Sequence, residues 1–310
     1  MDGLLIIDKP AGPTSHDVVV RMRRALRERS VGHTGTLDPA ATGVLPLVLG
    51  RATRLARFLS GDAKSYVAVV RFGFATDTCD ASGAPLGPCH EGPLPSRDAI
   101  EAQLTTFRGT TVQQPPAYSA KKIGGERSYR LARARSRTAD AAGVADTSGS
   151  LPAPSSVTVH RLDIMRLEPD RVTLRVDCSA GFYVRSLAHD LGERLGVGAH
   201  LAALCRTRCG DCRLEDAISL AAAEADPRQA MDRVIPLARM LPQLAPIVLT
   251  AEGVRRAGHG RDLGPAEVER GARPEPYPSF VRLLDPEGKL VGIAEPATTE
   301  GLLHPSVVLV

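Results

Sequence analysis

The chain has 310 residues, 43% of them apolar and 24% charged, a balance that fits a globular protein and excludes a disordered one. With 39 lysines and arginines against 35 acids the net charge is only +4, so any attraction for a polyanion depends on where the positive charge sits. Length favours about two domains, LLII (4–7) is too short for a secretory leader, and no apolar run nears the ~20 residues of a membrane helix, so the expected compartment is the cytoplasm.

In chain order, LLIID (4–8) reads as a short buried strand and KPAGP (9–13) as a turn. Thr14 and Asp17 form a T-x-x-D capping signal for a helix through about Arg27, which carries Arg21, Arg23 and Arg24. A loop rich in glycine and threonine follows (GHTGTLDPAATG, 32–43), in which Asp38 is the only carboxylate between Glu28 and Asp62. VLPLVLG (44–50) predicts a buried strand, and RATRLARFL (51–59) a helix with Arg51, Arg54 and Arg57 near one face. YVAVVRF (66–72) is a β-rich run that Tyr66 opens. Residues 139–154 are rich in Ala, Gly, Ser and Pro without periodicity and read as a flexible insertion. VTLRVDCS (172–179) alternates as a half-buried strand, Gly181 breaks it, and Leu187, Leu191 and Leu195 recur at helical spacing. Tyr183 and Arg185 therefore fall on a strand-to-helix junction, a common place for site residues. After the proline-punctuated LPQLAP, a short helix (251–257) and strands at 280–284, 290–294 and 306–310 predict a small β-rich unit.

Several chemistries fail on spacing. GHTG (32–35) lacks the G-K-[ST] ending of a phosphate-cradling loop, no G-x-S-x-G nucleophile elbow occurs, and the twelfth position counted from Asp77 is Pro88 where an EF-hand needs a glutamate. Cys205, Cys209 and Cys212 have C-x3-C-x2-C spacing with no second ligand cluster nearby, which favours packing over a metal. Positive charge concentrates in residues 1–60, with nine Lys/Arg against five acids, and in 114–139, with seven against Glu126 and with Tyr118 and Tyr129 interleaved. That pattern suits either a polyanion with stackable bases or two solvated helix faces. Taken alone, Asp38-Pro39 is most simply an Asx turn, His33 a loop hydrogen-bonder, and Tyr66 and Tyr183 half-buried core residues.

The loop GHTGTLDPAATGVLP (32–46) resembles the catalytic loop of the TruB family of tRNA pseudouridine synthases. The resemblance continues through IDKPAGPTSHDVV, KSYVAVVRFGFATDTCDASG, QQPPAYSAKKIGGERSYRLAR and CSAGFYVRSLAHDLGERLGVGAHLAALCRT, and it is nearest to the bacterial enzymes that convert uridine 55 of the tRNA T loop. It implies a mixed-sheet α/β (α+β) catalytic domain over 1–246, a small PUA-like β domain over 247–310, and no metal or organic cofactor. It further implies that Asp38 is the catalytic aspartate, Arg185 its partner, and Tyr66 the aromatic that stacks on the flipped uracil. It implies as well that His33 fills the space of the extruded nucleotide and that Tyr183 and Leu204 complete the pocket. The implied partner is the tRNA T stem-loop, bound by a monomer. Cys205 stands where a second consecutive basic residue is expected, which removes one RNA contact.

The chemistry agrees with the residue types. A carboxylate that attacks C1′ or removes the 2′ proton must be ionised, and a nearby arginine favours that form. A glycosidase would need two carboxylates flanking the bond, and this loop offers one. A different class stays open on sequence alone, an RNA-binding tRNA folding chaperone whose useful act is binding.

Overall fold

The computed structural model describes residues 1–119, 121–128, 130–131, 151–271 and 279–310. Most of the expected insertion (139–150) lies outside them, as do Tyr129 and the arginines at 133, 135 and 137. Eight strands carry the main sheet: β1 (Gly3–Lys9), β2 (Thr42–Leu49), β3 (Lys64–Phe72), β4 (Gly109–Gln113), β5 (Ser155–Glu168), β6 (Arg171–Cys178), β7 (Ala199–Cys209) and β8 (Ile218–Ser219). They run in the order β8-β1-β2-β7-β3-β6-β5-β4, and the short strands Val31–His33, Cys212–Arg213 and Ile235–Pro236 pair with β2, β7 and β1. The β1–β8 and β2–β7 contacts are parallel and the others antiparallel, so the sheet is mixed.

Both faces of β1 and β2 are covered, which is why their sequences are continuous apolar runs and do not alternate. Leu5, Ile7, Leu45, Leu47 and Leu49 pack on one side against Val18, Val19 and Met22 of helix α1 (Ser15–Ala25). Leu4, Ile6, Val44 and Val48 pack on the other. The α1 cap is the predicted one: the Asp17 amide donates to Thr14 Oγ1 and the Thr14 amide to Asp17 Oδ2. The helix ends at Ala25, short of Arg27, which sits at φ 52°.

The arginine-rich stretch differs from the single helix expected. A 3-10 segment (Gly50–Leu55) leads into a short helix α2 (Ala56–Ser60). In 3-10 geometry residues three apart eclipse one another, so Arg51 and Arg54 stack along one edge, and Arg57 follows in the first turn of α2. That edge faces the end of the chain: Arg51 and Arg54 donate to the carbonyls of Leu309 and Val308, and Arg57 donates to Ser306 Oγ at 3.2 Å.

Helices α3 (Arg97–Phe107) and α4 (Val184–Arg194) cover the far half of the sheet, closing a core around Ala68, Val70, Leu162, Leu174 and Leu187. A further short helix, α5 (Leu220–Ala225), follows β8. The second sheet holds β9 (Ala245–Leu249), β10 (Val268–Arg270), β11 (Val281–Leu284), β12 (Leu290–Pro296) and β13 (Leu303–Val308), in the order β10-β9-β11-β12-β13, with α6 (Ala251–Gly258) packed on it. The last strand begins three residues before the predicted 306. Leu309, fully buried, leaves the strand and plugs the cluster of Leu4, Ile6, Val44 and Val48 between the two sheets.

Candidate active site

The loop between Val31–His33 and β2 is short of its own hydrogen bonds, and its neighbours supply them. Five successive carbonyls, Gly35 through Pro39, each accept from a fixed donor. Arg206 donates to Gly35 (3.0 Å) and Thr36 (3.4 Å), Ser15 Oγ to Leu37 (3.1 Å), and the Ala41 amide to Asp38 (3.1 Å). Pro39 accepts from the Gly12 amide at 2.9 Å and from Lys9 Nζ at 3.1 Å. The turn at Asp38 is thus closed through its main-chain carbonyl, so the carboxylate is released from the Asx turn that the dipeptide alone suggests.

That carboxylate meets Arg185 across two bonds, Nε to Oδ2 at 2.9 Å and Nη2 to Oδ1 at 3.3 Å. A two-point guanidinium–carboxylate pair fixes orientation as well as charge. Only 6% of the Arg185 side chain is exposed against 40% of Asp38, so the cation is buried behind an acid that opens to a cleft. Arg185 is anchored elsewhere as well: Nη2 donates to the Tyr118 carbonyl at 2.7 Å, Nη1 to the Thr78 carbonyl at 3.3 Å, and Asp80 lies 3.8 Å away. The start of α4 that carries it is clamped by Gln113. Its amide nitrogen donates to the Tyr183 carbonyl (3.0 Å), and its amide oxygen accepts from the Tyr183 N–H (2.8 Å).

The cleft encloses about 420 Å³. His33, Asp38, Tyr66, Tyr183, Arg185 and Leu204, drawn from four separate stretches of chain, all line it. Tyr66 stands on the face of β3 that also carries Ala68 and Val70 into the core, and it is buried. Burial pushes its phenol up to about 12, with Arg206 opposing the shift, so at neutral pH the hydroxyl stays protonated. Burial likewise raises the Tyr183 phenol, opposed by Ser119 and Arg185.

Four groups at the site go beyond the sequence-based expectations: Lys9, Lys64, Gln113 and Arg206. Arg206 carried a usable signal, because it is two residues from Leu204 on one strand and so shares its face. Lys9 stands at the end of a buried strand, a costly place for an ammonium unless carbonyls receive it. Gln113 and Lys64 carried no local signal; their roles come from pairings with residues far away in the chain. Among the cysteines, Cys209 and Cys212 are buried in the apolar cluster between the sheets, and Cys205 is half-buried on β7 opposite Val67.

A mixed sheet with a one-carboxylate cleft at its centre is the architecture of a Cbf5/TruB-type pseudouridine synthase. One chain of a Cbf5–Nop10–Gar1 complex superposes on all of this chain and 85% of its own length, with a TM-score of 0.68 and 25% identity. The profile described as "TruB family pseudouridylate synthase (N terminal domain)" matches residues 23–184, and that of the "tRNA pseudouridylate synthase B C-terminal domain" matches 185–241. A tRNA pseudouridine synthase B from Solibacter usitatus is 41% identical over the full length of both chains. One from Gloeobacter violaceus is 47% identical over 73% of this chain and 74% of its own. The chain belongs to the TruB family of pseudouridylate synthases, isomerases of RNA uridine.

Proposed function

We propose that the chain isomerises uridine 55 in the T loop of tRNA to pseudouridine. The observation that carries this reading is the bidentate Arg185–Asp38 pair at the mouth of a cleft lined by Tyr66, Tyr183, Leu204 and His33. Asp38 is the reacting group: its carboxylate attacks C1′ of the flipped nucleotide or takes the 2′ proton, and Arg185 keeps it charged and aimed. Extruding the base costs a few kcal/mol, and stacking on Tyr66 returns about 1–3 of them. Contacts to the phosphate backbone provide the rest and make binding strongly salt-dependent. His33 occupies the gap that the nucleotide leaves, and Tyr183 and Leu204 hold the base from its other sides.

The reaction transfers one base within one nucleotide, with no change of oxidation state, and the reading calls for no metal or organic cofactor. Residues 1–246 form the catalytic part in this reading, and 247–310 a PUA-like unit that contributes RNA affinity. Among the described residues no helix is long and apolar enough to cross a membrane. A cytoplasmic monomer acting on tRNA is the form we propose.

The test is tritium release from tRNA carrying [5-³H]uridine, with wild type and Asp38→Asn compared. Wild type should release tritium and the variant none, while the variant keeps most of its tRNA affinity. Equal release would remove Asp38 from the mechanism. No release from either, with tight binding, would make the chain an RNA-binding chaperone.

A further inference from the structure

β3 and β7 run antiparallel, and Tyr66 lies directly across from Arg206. Lys64 is two residues from Tyr66 on the same strand, so all three side chains reach one wall of the cleft. Arg206 is 1% exposed and Lys64 7%. A Cβ added at Gly35 would sit 3.4 Å from Arg206 Nη1 and 3.9 Å from Lys64 Cε, so the two cations converge beneath that glycine.

Their partners are unusual for buried charge. Arg206 donates to the carbonyls of Val44 (2.8 Å), Gly35 and Thr36, and Lys64 Nζ to those of Ser60 and Asp62. Every acceptor in these bonds is a neutral carbonyl. Arg185, by contrast, faces Asp38 and Asp80, and the Asp38 carboxylate attracts Lys9. Among the described residues neither Arg206 nor Lys64 is hydrogen-bonded to a carboxylate, and only the Asp62 carboxylate acts on Lys64 from farther away. Burial draws Lys64 below the usual lysine range and the Arg206 charge adds to that, while the Asp62 carboxylate opposes it. Removing two cations from water with so little counter-charge costs several kcal/mol per ion. Such an arrangement is useful where negative charge arrives only during the reaction.

Resting on the isomerase reading above, the arriving charge can be named. When N1–C1′ breaks, its electron pair stays with the base, which becomes an anion delocalised over N1, O2 and O4. This holds whether Asp38 forms a bond to C1′ or takes the 2′ proton to leave a C1′=C2′ double bond. C5 of the anion then attacks C1′, which makes the base neutral; Asp38 leaves C1′ as a carboxylate, or returns its proton to C2′ as the double bond is undone, and C5 finally loses its proton while N1 gains one. We propose that Arg206 and Lys64 form a built-in counter-charge for the departing uracil anion, lowering the barrier to N1–C1′ cleavage. Arg206 has a second, positioning task, holding the loop of Asp38 through Gly35 and Thr36.

Leaving-group dependence separates the two tasks. Fluorine at C5 withdraws electrons and stabilises the base anion, so a substrate with 5-fluorouridine at the target needs less counter-charge. Single-turnover loss of the N1-linked nucleoside is measured for tRNA carrying uridine or 5-fluorouridine. Arg206→Gln should slow the uridine substrate about a hundredfold and the fluorinated one about tenfold or less. Arg206→Lys, which keeps the charge, should recover more than half of that loss on a logarithmic scale. Lys64→Met should repeat the selective loss with the Arg206 bonds to the loop left in place, and it decides the matter if Arg206→Gln fails to fold. Equal losses on both substrates, or Arg206→Lys as slow as Arg206→Gln, would overturn the proposal. Wild-type turnover of the uridine substrate tests the isomerase reading separately, since its absence would remove that reading and this one together.

Discussion

Lys9 shows how a single buried group links the loop to pH. Its ammonium spends three N–H donors on the carbonyls of Pro10, Pro13 and Pro39, the last next to Asp38. Burial draws it down to about 8, with the Asp38 carboxylate opposing the shift and Arg206 adding to it. The neutral amine has only two N–H groups, so losing the proton frees one carbonyl and removes positive charge beside Asp38. Activity should therefore fall with a midpoint near pH 8. Stability should move the other way. The native state gives up this proton before the unfolded chain, whose lysine titrates near 10.5, so above pH 8 the unfolded state binds more protons and stability rises. The buried thiols of Cys79, Cys178 and Cys212 oppose this rise, because the unfolded chain gives up their protons near 9, so the Lys9 part is read as the difference between wild type and Lys9→Met. Measuring kcat/KM and urea midpoints across pH 7–9 for wild type and Lys9→Met tests this: wild type should gain stability relative to the variant as its activity falls, a relative loss would sink it, and Lys9→Met should abolish the alkaline limb. At this scale the two members of the Asp38–Arg185 pair were readable from their own residue types. Their supports were not, because a buried lysine or arginine in a sequence does not reveal which distant carbonyls will receive it.

The elements repeat the pattern. Of the main sheet, β1, β2, β3 and β6 were legible from composition and alternation, and α1 from its cap; β4, β5, β7 and β8 were not. Sequence missed what sets two elements against each other, and Gly43 illustrates the cause. It stands in β2 at φ 97°, where β2 meets β7 in parallel, and an added Cβ would lie 2.3 Å from the Arg206 carbonyl oxygen. Gly43→Ala must push β7 away, and with it the guanidinium that holds Gly35 and Thr36. We expect a loss of about 2–4 kcal/mol in denaturant unfolding and a large drop in turnover. Gly288→Ala is the control: its φ is 81° and nothing lies within 4 Å of the new Cβ, so only the backbone penalty of about 1–2 kcal/mol applies. Similar costs for both would mean that close approach to Arg206 is unimportant. The edge of Arg51, Arg54 and Arg57 makes the same point differently. Its spacing announced a basic face, but 3-10 winding turned that face onto the carbonyls of the last strand.

For the whole molecule, two sheets need not mean two independent folding units. The cluster between them joins Leu4, Ile6, Val44, Val48 and Leu55 of the large part to Leu290, Ile293 and Leu309 of the small one, all buried. Phe58 and Phe280 add an edge-to-face contact at 4.9 Å and 79°, with Arg57 4.7 Å over the Phe58 ring. A fully buried aliphatic side chain contributes about 1.5–3 kcal/mol, so uncovering four of them costs about 6–12. A domain of this kind is stable by only about 5–15 kcal/mol in total. Neither sheet can then lose the other and remain folded with a margin. Calorimetry of the full chain should show one unfolding transition, and a fragment ending at residue 246 should aggregate or expose apolar surface to a hydrophobic dye. Two separated transitions, or a soluble fragment with full isomerase activity, would show that the small sheet is an appendage. A single transition would instead make the RNA-affinity role proposed for 247–310 inseparable from stability. Affinity variants in that region would then have to be chosen from exposed positions on β10 or α6, away from the shared cluster.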